Sequence, residues 1–142
     1  MLFRIKESEY KILAPAREAP ISLQILVVDD HELVRRGLRL LLGSDRRWKV
    51  CGEAQNAEEA IEKASALAPD VVILDLSLPT IGGIDAATAI RQVAPSAKII
   101  FFSLMEHSLG SQIAQRGDTF VAKGSAATDL PRALEQILAE AN

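Results

Sequence analysis

The chain of 142 residues is 49% apolar and 25% charged, enough apolar material for one domain with a real core, which excludes global disorder. Its net charge of −3, without a basic stripe and with only 4% aromatic residues, argues against a chain that grips nucleic acid by itself. Cys51 is the sole cysteine and no apolar run approaches the roughly 18–20 residues that span a bilayer, so a disulfide framework and a membrane span are excluded and a reducing, cytoplasmic setting is expected.

Residues 1–22 interleave charges from Arg4 onward and lack the continuous apolar core of a signal peptide. They stand outside the pattern that follows and read as an N-terminal extension. A disordered leader, a partner-binding arm and a start placed too far upstream remain open for it. Residues 23–142 read as one domain in which short apolar runs alternate with segments of helical period. The first strand is expected at 24–28 and ends in two adjacent aspartates, Asp29 and Asp30. Val34, Leu38, Leu41 and Leu42 then form one helical stripe, with Arg35, Arg36 and Arg39 opposite. A second strand covers 49–54. Asn56 caps a helix that turns Ala60, Ile61, Ala64, Leu67 and Ala68 inward, and Pro69 stops it.

The run at 71–74 is continuously apolar, as expected of a strand buried on both faces, and Asp75 follows it. A helix is predicted from Ile84 to Val93, stopped by Pro95, before a strand at 98–102 that leads to Ser103. The segment 104–116 has a thin apolar stripe and a central Gly110, which predicts a short or poorly ordered helix. A strand at 119–122 ends at Lys123. The last helix is predicted from about Thr128, with Pro131 in its first turn, where a missing N–H costs little. Five strand–helix units of this kind imply a doubly wound α/β sheet with right-handed crossovers.

In such a sheet ligands bind beyond the carboxyl ends of the strands. Asp29, Asp30, Asp75, Ser103 and Lys123 all fall there. Three clustered carboxylates suit a hard divalent cation such as Mg2+, which would relieve the repulsion between Asp29 and Asp30. With a hydroxyl and an ammonium nearby, the set suits phosphoryl transfer, and Asp75 would be the nucleophile. Singly the same residues read more plainly. Asp29 and Asp30 suit a helix N-terminus, Asp75 a turn before Pro79, and Ser103 a satisfied strand end. His31 and His107 read as surface or capping residues, Cys51 as an inert strand residue, and Arg35, Arg36, Arg39, Arg46 and Arg47 as a solvated face.

Four stretches in order, "ILVVDDHELVRRGLRLLL", "PDVVILDLSLPTIGGIDA", "KIIFFS" and "FVAK", resemble the receiver domain of bacterial two-component response regulators. The phrasing "DDHELVRRGL" and "KGS" is most similar to the subfamily that usually carries a C-terminal helix-turn-helix DNA-binding domain, which these 142 residues do not include. The resemblance implies a flavodoxin-like strand order 2-1-3-4-5 and a sensor histidine kinase or phosphotransfer protein that donates a phosphoryl group to Asp75. It also implies Mg2+ held by Asp29, Asp30, Asp75 and the backbone carbonyl of Ser77. Ser103 would be the switch hydroxyl, Phe120 the switch aromatic and Lys123 the phosphate-contacting lysine. The output face formed by the 104–116 segment, the last strand and the last helix would meet a partner or a second copy. The arginine face would meet the kinase.

Two departures from the family pattern are visible. Leu104 stands where a small residue is usual, and the stretch from Ser103 to Lys123 is about two residues short. They favour an alternative, a receiver-like scaffold that works without phosphorylation, with Leu104 restricting access to Asp75 or holding Phe120 in one rotamer. A phosphatase with an aspartate nucleophile lacks support, since the second acid it needs is replaced by Ser77.

Overall fold

The computed structural model describes residues 22–104, 113 and 118–141. Five strands form one parallel sheet: β1 (Leu23–Val28), β2 (Trp48–Ala54), β3 (Val71–Asp75), β4 (Lys98–Ser103) and β5 (Thr119–Ala122). Their order is β2-β1-β3-β4-β5, the flavodoxin-like order expected. The described helices are α1 (Glu32–Gly43), α2 (Ala57–Leu67), α3 (Gly83–Val93) and α4 (Ala126–Ala141). Of the helix expected over 104–116, only Leu104 and the buried Ile113 are among the described residues, and His107 is not. No helix among the described residues is long and apolar enough to cross a membrane.

Alternation along the central strands sends neighbouring side chains to opposite faces, and each face has its own core. Leu26, Val28, Val72, Leu74, Ile99 and Phe101 meet the alanine-rich inner sides of α2 and α3. Ile25, Val27, Val71, Ile73, Ile100 and Phe102 meet Leu38 and Leu42 of α1 and Leu130 and Leu134 of α4. Alanines line the inner sides of α2 and α3, while leucines of α1 and α4 fill the core on the opposite face.

Two expectations need correction. Ala68 does not turn inward, and Leu67 does so only in part, its Cδ1 lying 2.7 Å from where a Cβ on Gly52 would stand. Leu67 is 42% exposed, because α2 ends there and Ala68 takes a left-handed conformation (φ 47°, ψ 60°) as its C-cap. α4 begins at Ala126, directly after a 3-10 turn at Lys123–Ser125, so Pro131 lies inside the helix rather than in its first turn. Its missing N–H leaves the Ala127 carbonyl without the usual partner. The strand expected at 49–54 is present as β2 but is irregular. Ile25 pairs with Val50 but Leu26 pairs with Gly52, so Cys51 is an extra residue. The bulge inverts the alternation, and Trp48 and Val50 face α1 while Ala54 faces α2.

Candidate functional site

Parallel strands end on one rim, and the strand order sets the ends of β1 and β3 side by side at its centre. Apart from Gln24 near the start of β1, both strands are apolar up to that rim, and three carboxylates appear where the sheet stops. These are Asp29 and Asp30 after β1, and Asp75 as the last residue of β3. Asp29 is fully buried and Asp75 is 2% exposed, an unusual position for carboxylates that lack compensation.

The compensation is visible. Lys123 follows β5, and its half-sheltered ammonium lies 2.7 Å from Asp29 Oδ2 and 3.6 Å from Asp75 Oδ2. Its Nζ also sits 5.7 Å from the centre of the Phe102 ring, which helps hold the chain over the rim. The contact with Asp29 is an ion pair without hydrogen-bond geometry, and Oδ2 of Asp29 accepts no hydrogen bond. Asp29 Oδ1 accepts from the amide of His31 at 2.9 Å, and Asp75 Oδ1 accepts from the amide of Ser77 at 3.0 Å. Burial pushes the Asp75 carboxyl above the usual carboxylate range. The Ser77 amide and Lys123 oppose that rise, and the charges of Asp29 and Asp30 add to it.

The loop after β3 is held by backbone hydrogen bonds together with the buried side chains of Leu76 and Leu78. Thr80 adopts a positive φ of 71°, the Ile81 amide donates to the Pro79 carbonyl, and the Gly83 amide donates to the Leu76 carbonyl at 3.0 Å. At Gly83 a Cβ would stand 2.5 Å from the Asp75 carbonyl oxygen and 2.7 Å from Leu76 Cα. Only glycine lets α3 start so close to the backbone of the buried aspartate.

Asp29, Asp30, His31 and Asp75 each offer one ligand atom, all within 4.8 Å of one another. Three clustered carboxylates, two of them buried, outnumber the one ammonium beside them and fit a hard divalent cation. His31 is the member that sequence reasoning set aside. It occupies the N-cap position of α1 yet makes no side-chain cap, and its Nδ1 lies 3.1 Å from Asp30 Oδ1 and 3.2 Å from Asp29 Oδ1. Its position directly after two aspartates was the available signal.

Of the remaining expected residues, Ser103 is buried at the end of β4, paired in register with Ala122 and so next to the strand that delivers Lys123. Phe120 pairs with Phe101 and is half-buried against the core beneath α2 and α3. Leu104 is 82% exposed and thus turned to solvent, which removes the packing basis for its holding Phe120 in one rotamer.

Comparison with known proteins bears on the family and the fold. Residues 25–135 match the family described as response regulator receiver domain. The chain is 36% identical over 117 residues to the response regulator UvrY of Escherichia coli K12, covering 81% of this chain and 54% of that protein. It therefore spans about half the length of the curated relatives it matches. A two-component response regulator of the LuxR family from Aurantimonas sp. SI85-9A1 superposes with a TM-score of 0.76 at 36% identity, over 84% of this chain and 86% of that one. RcsB of Salmonella enterica serovar Typhimurium, solved on promoter rprA with the phosphomimetic BeF3−, gives 0.74 at 29% identity, over 82% of this chain and 98% of that one. The carboxylate rim, the strand order and these likenesses together assign the chain to the response regulator receiver domain family.

Proposed function

We propose that Asp75 accepts a phosphoryl group from the phosphohistidine of a sensor histidine kinase or phosphotransfer protein, in a Mg2+-dependent reaction that switches an output face. The observation that carries this is the buried carboxylate of Asp75, with Lys123 Nζ 3.6 Å away and Asp29 beside it. Asp29, Asp30, Asp75 and the Ser77 carbonyl are the residues that would hold Mg2+. When bound, the cation supplies neutralisation of charge on the phosphoryl oxygens.

The protein's own residues do the rest. The Ser77 amide fixes the Asp75 carboxylate, so that its oxygen meets phosphorus in line with the departing imidazole. An O–P bond forms as the P–N bond breaks; the imidazole nitrogen leaves with the electron pair and takes up a proton from solvent. Lys123, already between Asp29 and Asp75, pairs with the new phosphoryl oxygens. Ser103 donates to one of them and Phe120 follows it inward, changing the face around β5 and α4. The chain thus assists its own phosphorylation and dephosphorylation but turns over no separate substrate as a conventional enzyme does. In this reading residues 1–22 are an extension to the receiver domain at 23–142. The domain is cytoplasmic, pairs with a second copy when modified, and serves as the regulatory part of a transcription factor while making no nucleic-acid contact itself.

The test is intact-protein mass after incubation with acetyl phosphate and Mg2+, beside Asp75→Asn and a chelator control. The parent should gain one phosphoryl group, and the variant and the chelated sample none. A folded parent that gains nothing, or a variant that gains as much, overturns the reading.

A further inference from the structure

Arg35 does not lie on a solvated face. Its side chain is 12% exposed, and all three nitrogen positions of the guanidinium are bonded. Nη1 donates to the backbone carbonyl of Asp29 at 2.6 Å, Nε to Glu53 Oε1 at 3.1 Å, and Nη2 to Glu32 Oε2 at 2.6 Å. Glu53 is itself held: Arg39 Nη1 donates to both of its carboxylate oxygens, at 2.7 and 2.6 Å, and Lys63 Nζ donates to its carbonyl.

Glu53 reaches Arg35 because of the bulge at Cys51. In a regular strand Trp48, Val50, Gly52 and Ala54 would share the α1 face and Glu53 would point toward α2. The extra residue reverses this, placing Glu53 under α1 and the space beside Gly52 under Leu67. The carbonyl that Arg35 grips belongs to the peptide joining Asp29 to Asp30. The amide of Asp29 is held by the Ala54 carbonyl of the same β2 strand at 3.0 Å. Residues 53 and 54 of β2 therefore hold that segment from both sides, one directly and one through Arg35.

We infer that Arg35, anchored by Glu53, is a positioning residue that sets the direction of the Asp29 and Asp30 carboxylates for a divalent cation. This rests on the cation-site reading above and assigns a residue to it. Charge and geometry make opposite demands here, which makes the inference testable. A guanidinium close to a cation site repels the cation, so if Arg35 acted through charge alone its removal would tighten binding. If it holds the peptide, its removal loosens binding, in the range of 10–100-fold known for groups that orient metal ligands.

The experiment is binding of Mn2+ alone to the full chain, read from the electron paramagnetic resonance of free Mn2+, with no phosphodonor present. Arg35→Ala should weaken binding about 10-fold or more. Arg35→Lys should restore only part of it, because one ammonium cannot span three acceptors in a plane. Glu53→Gln should weaken binding too, and the double variant should lose less than the product of the two single effects. Glu32→Gln, at the exposed outer end of the network, should change little. Circular dichroism reports whether each variant folds, and Arg35→Gln replaces Arg35→Ala if the alanine variant does not. Unchanged or tighter Mn2+ binding on loss of Arg35 overturns the positioning role. Asp30→Asn separates the two levels: if that variant binds Mn2+ like the parent, the cation-site reading itself fails. If it loses binding while Arg35 variants do not, only the positioning role falls.

Discussion

A carboxylate buried at the end of β3, with two others beside it, weighs on the folded state in a way a neutral isostere would not. The folded protein holds a proton on Asp75 more tightly than the unfolded chain does. As pH rises from the ordinary aspartate value through the raised one, the unfolded state releases its proton first, and stability falls. Above that window the loss is complete; below it there is none. Asp75→Asn keeps the acceptor for the Ser77 amide and removes the charge. In chelator at pH 7 it should therefore be more stable than the parent by about 1 kcal/mol, the low end of the scale for a buried polar group, because Lys123 and the Ser77 amide offset part of the burial cost. Urea unfolding at pH 7 and at pH 4 measures this, and the gap should shrink at the lower pH. The three aspartates were legible in the sequence because each stands where an apolar run stops. Arg35 was not, and His31 was signalled only by its place after two aspartates. A helical stripe sorts residues into inward and outward faces of an isolated helix, and Arg35 is sheltered by a strand that the stripe does not describe.

At the level of elements, the strands were legible to within a residue, most plainly β1, β3 and β4, where continuous apolar runs leave little choice. Helix ends were less so. Asn56 was a recognisable N-cap, and its side chain accepts from the Glu59 amide as expected. The C-cap at Ala68 was hidden, since alanine carries no signal of a left-handed turn. An L-residue with Cβ in that region is strained by roughly 1–2 kcal/mol, and glycine is not, although it gives up more chain entropy. Ala68→Gly should on balance stabilise the protein by about 1 kcal/mol, seen as a higher urea midpoint at unchanged slope. The bulge at Cys51 was equally hidden, because "KVCGEA" has no periodicity strong enough to betray an inserted residue. Its effect on Glu53 could be found only from pairing.

At the scale of the whole molecule, two cores on opposite faces of one sheet make a frame that carries the acidic rim. A cation that binds the folded rim and not the unfolded chain stabilises the entire domain by mass action, about 2.7 kcal/mol at 100 times its dissociation constant. Saturating Mg2+ should raise the melting temperature of the parent by several degrees and that of Asp30→Asn far less, as scanning calorimetry would show; equal rises would place the stabilising cation elsewhere. The frame also distributes constraint unevenly along the sequence. Gly37, Gly43 and Gly124 have open space where a side chain would begin, whereas Gly83 meets the backbone of Asp75 and Leu76. Every replacement of Gly83 brings a Cβ and so moves the peptide that carries the acidic group. A position eight residues downstream of Asp75, with no functional group of its own, is thus bound to the chemistry as tightly as the carboxylate is. In the space of sequences open to this chain, Asp75 and Gly83 behave as a single character.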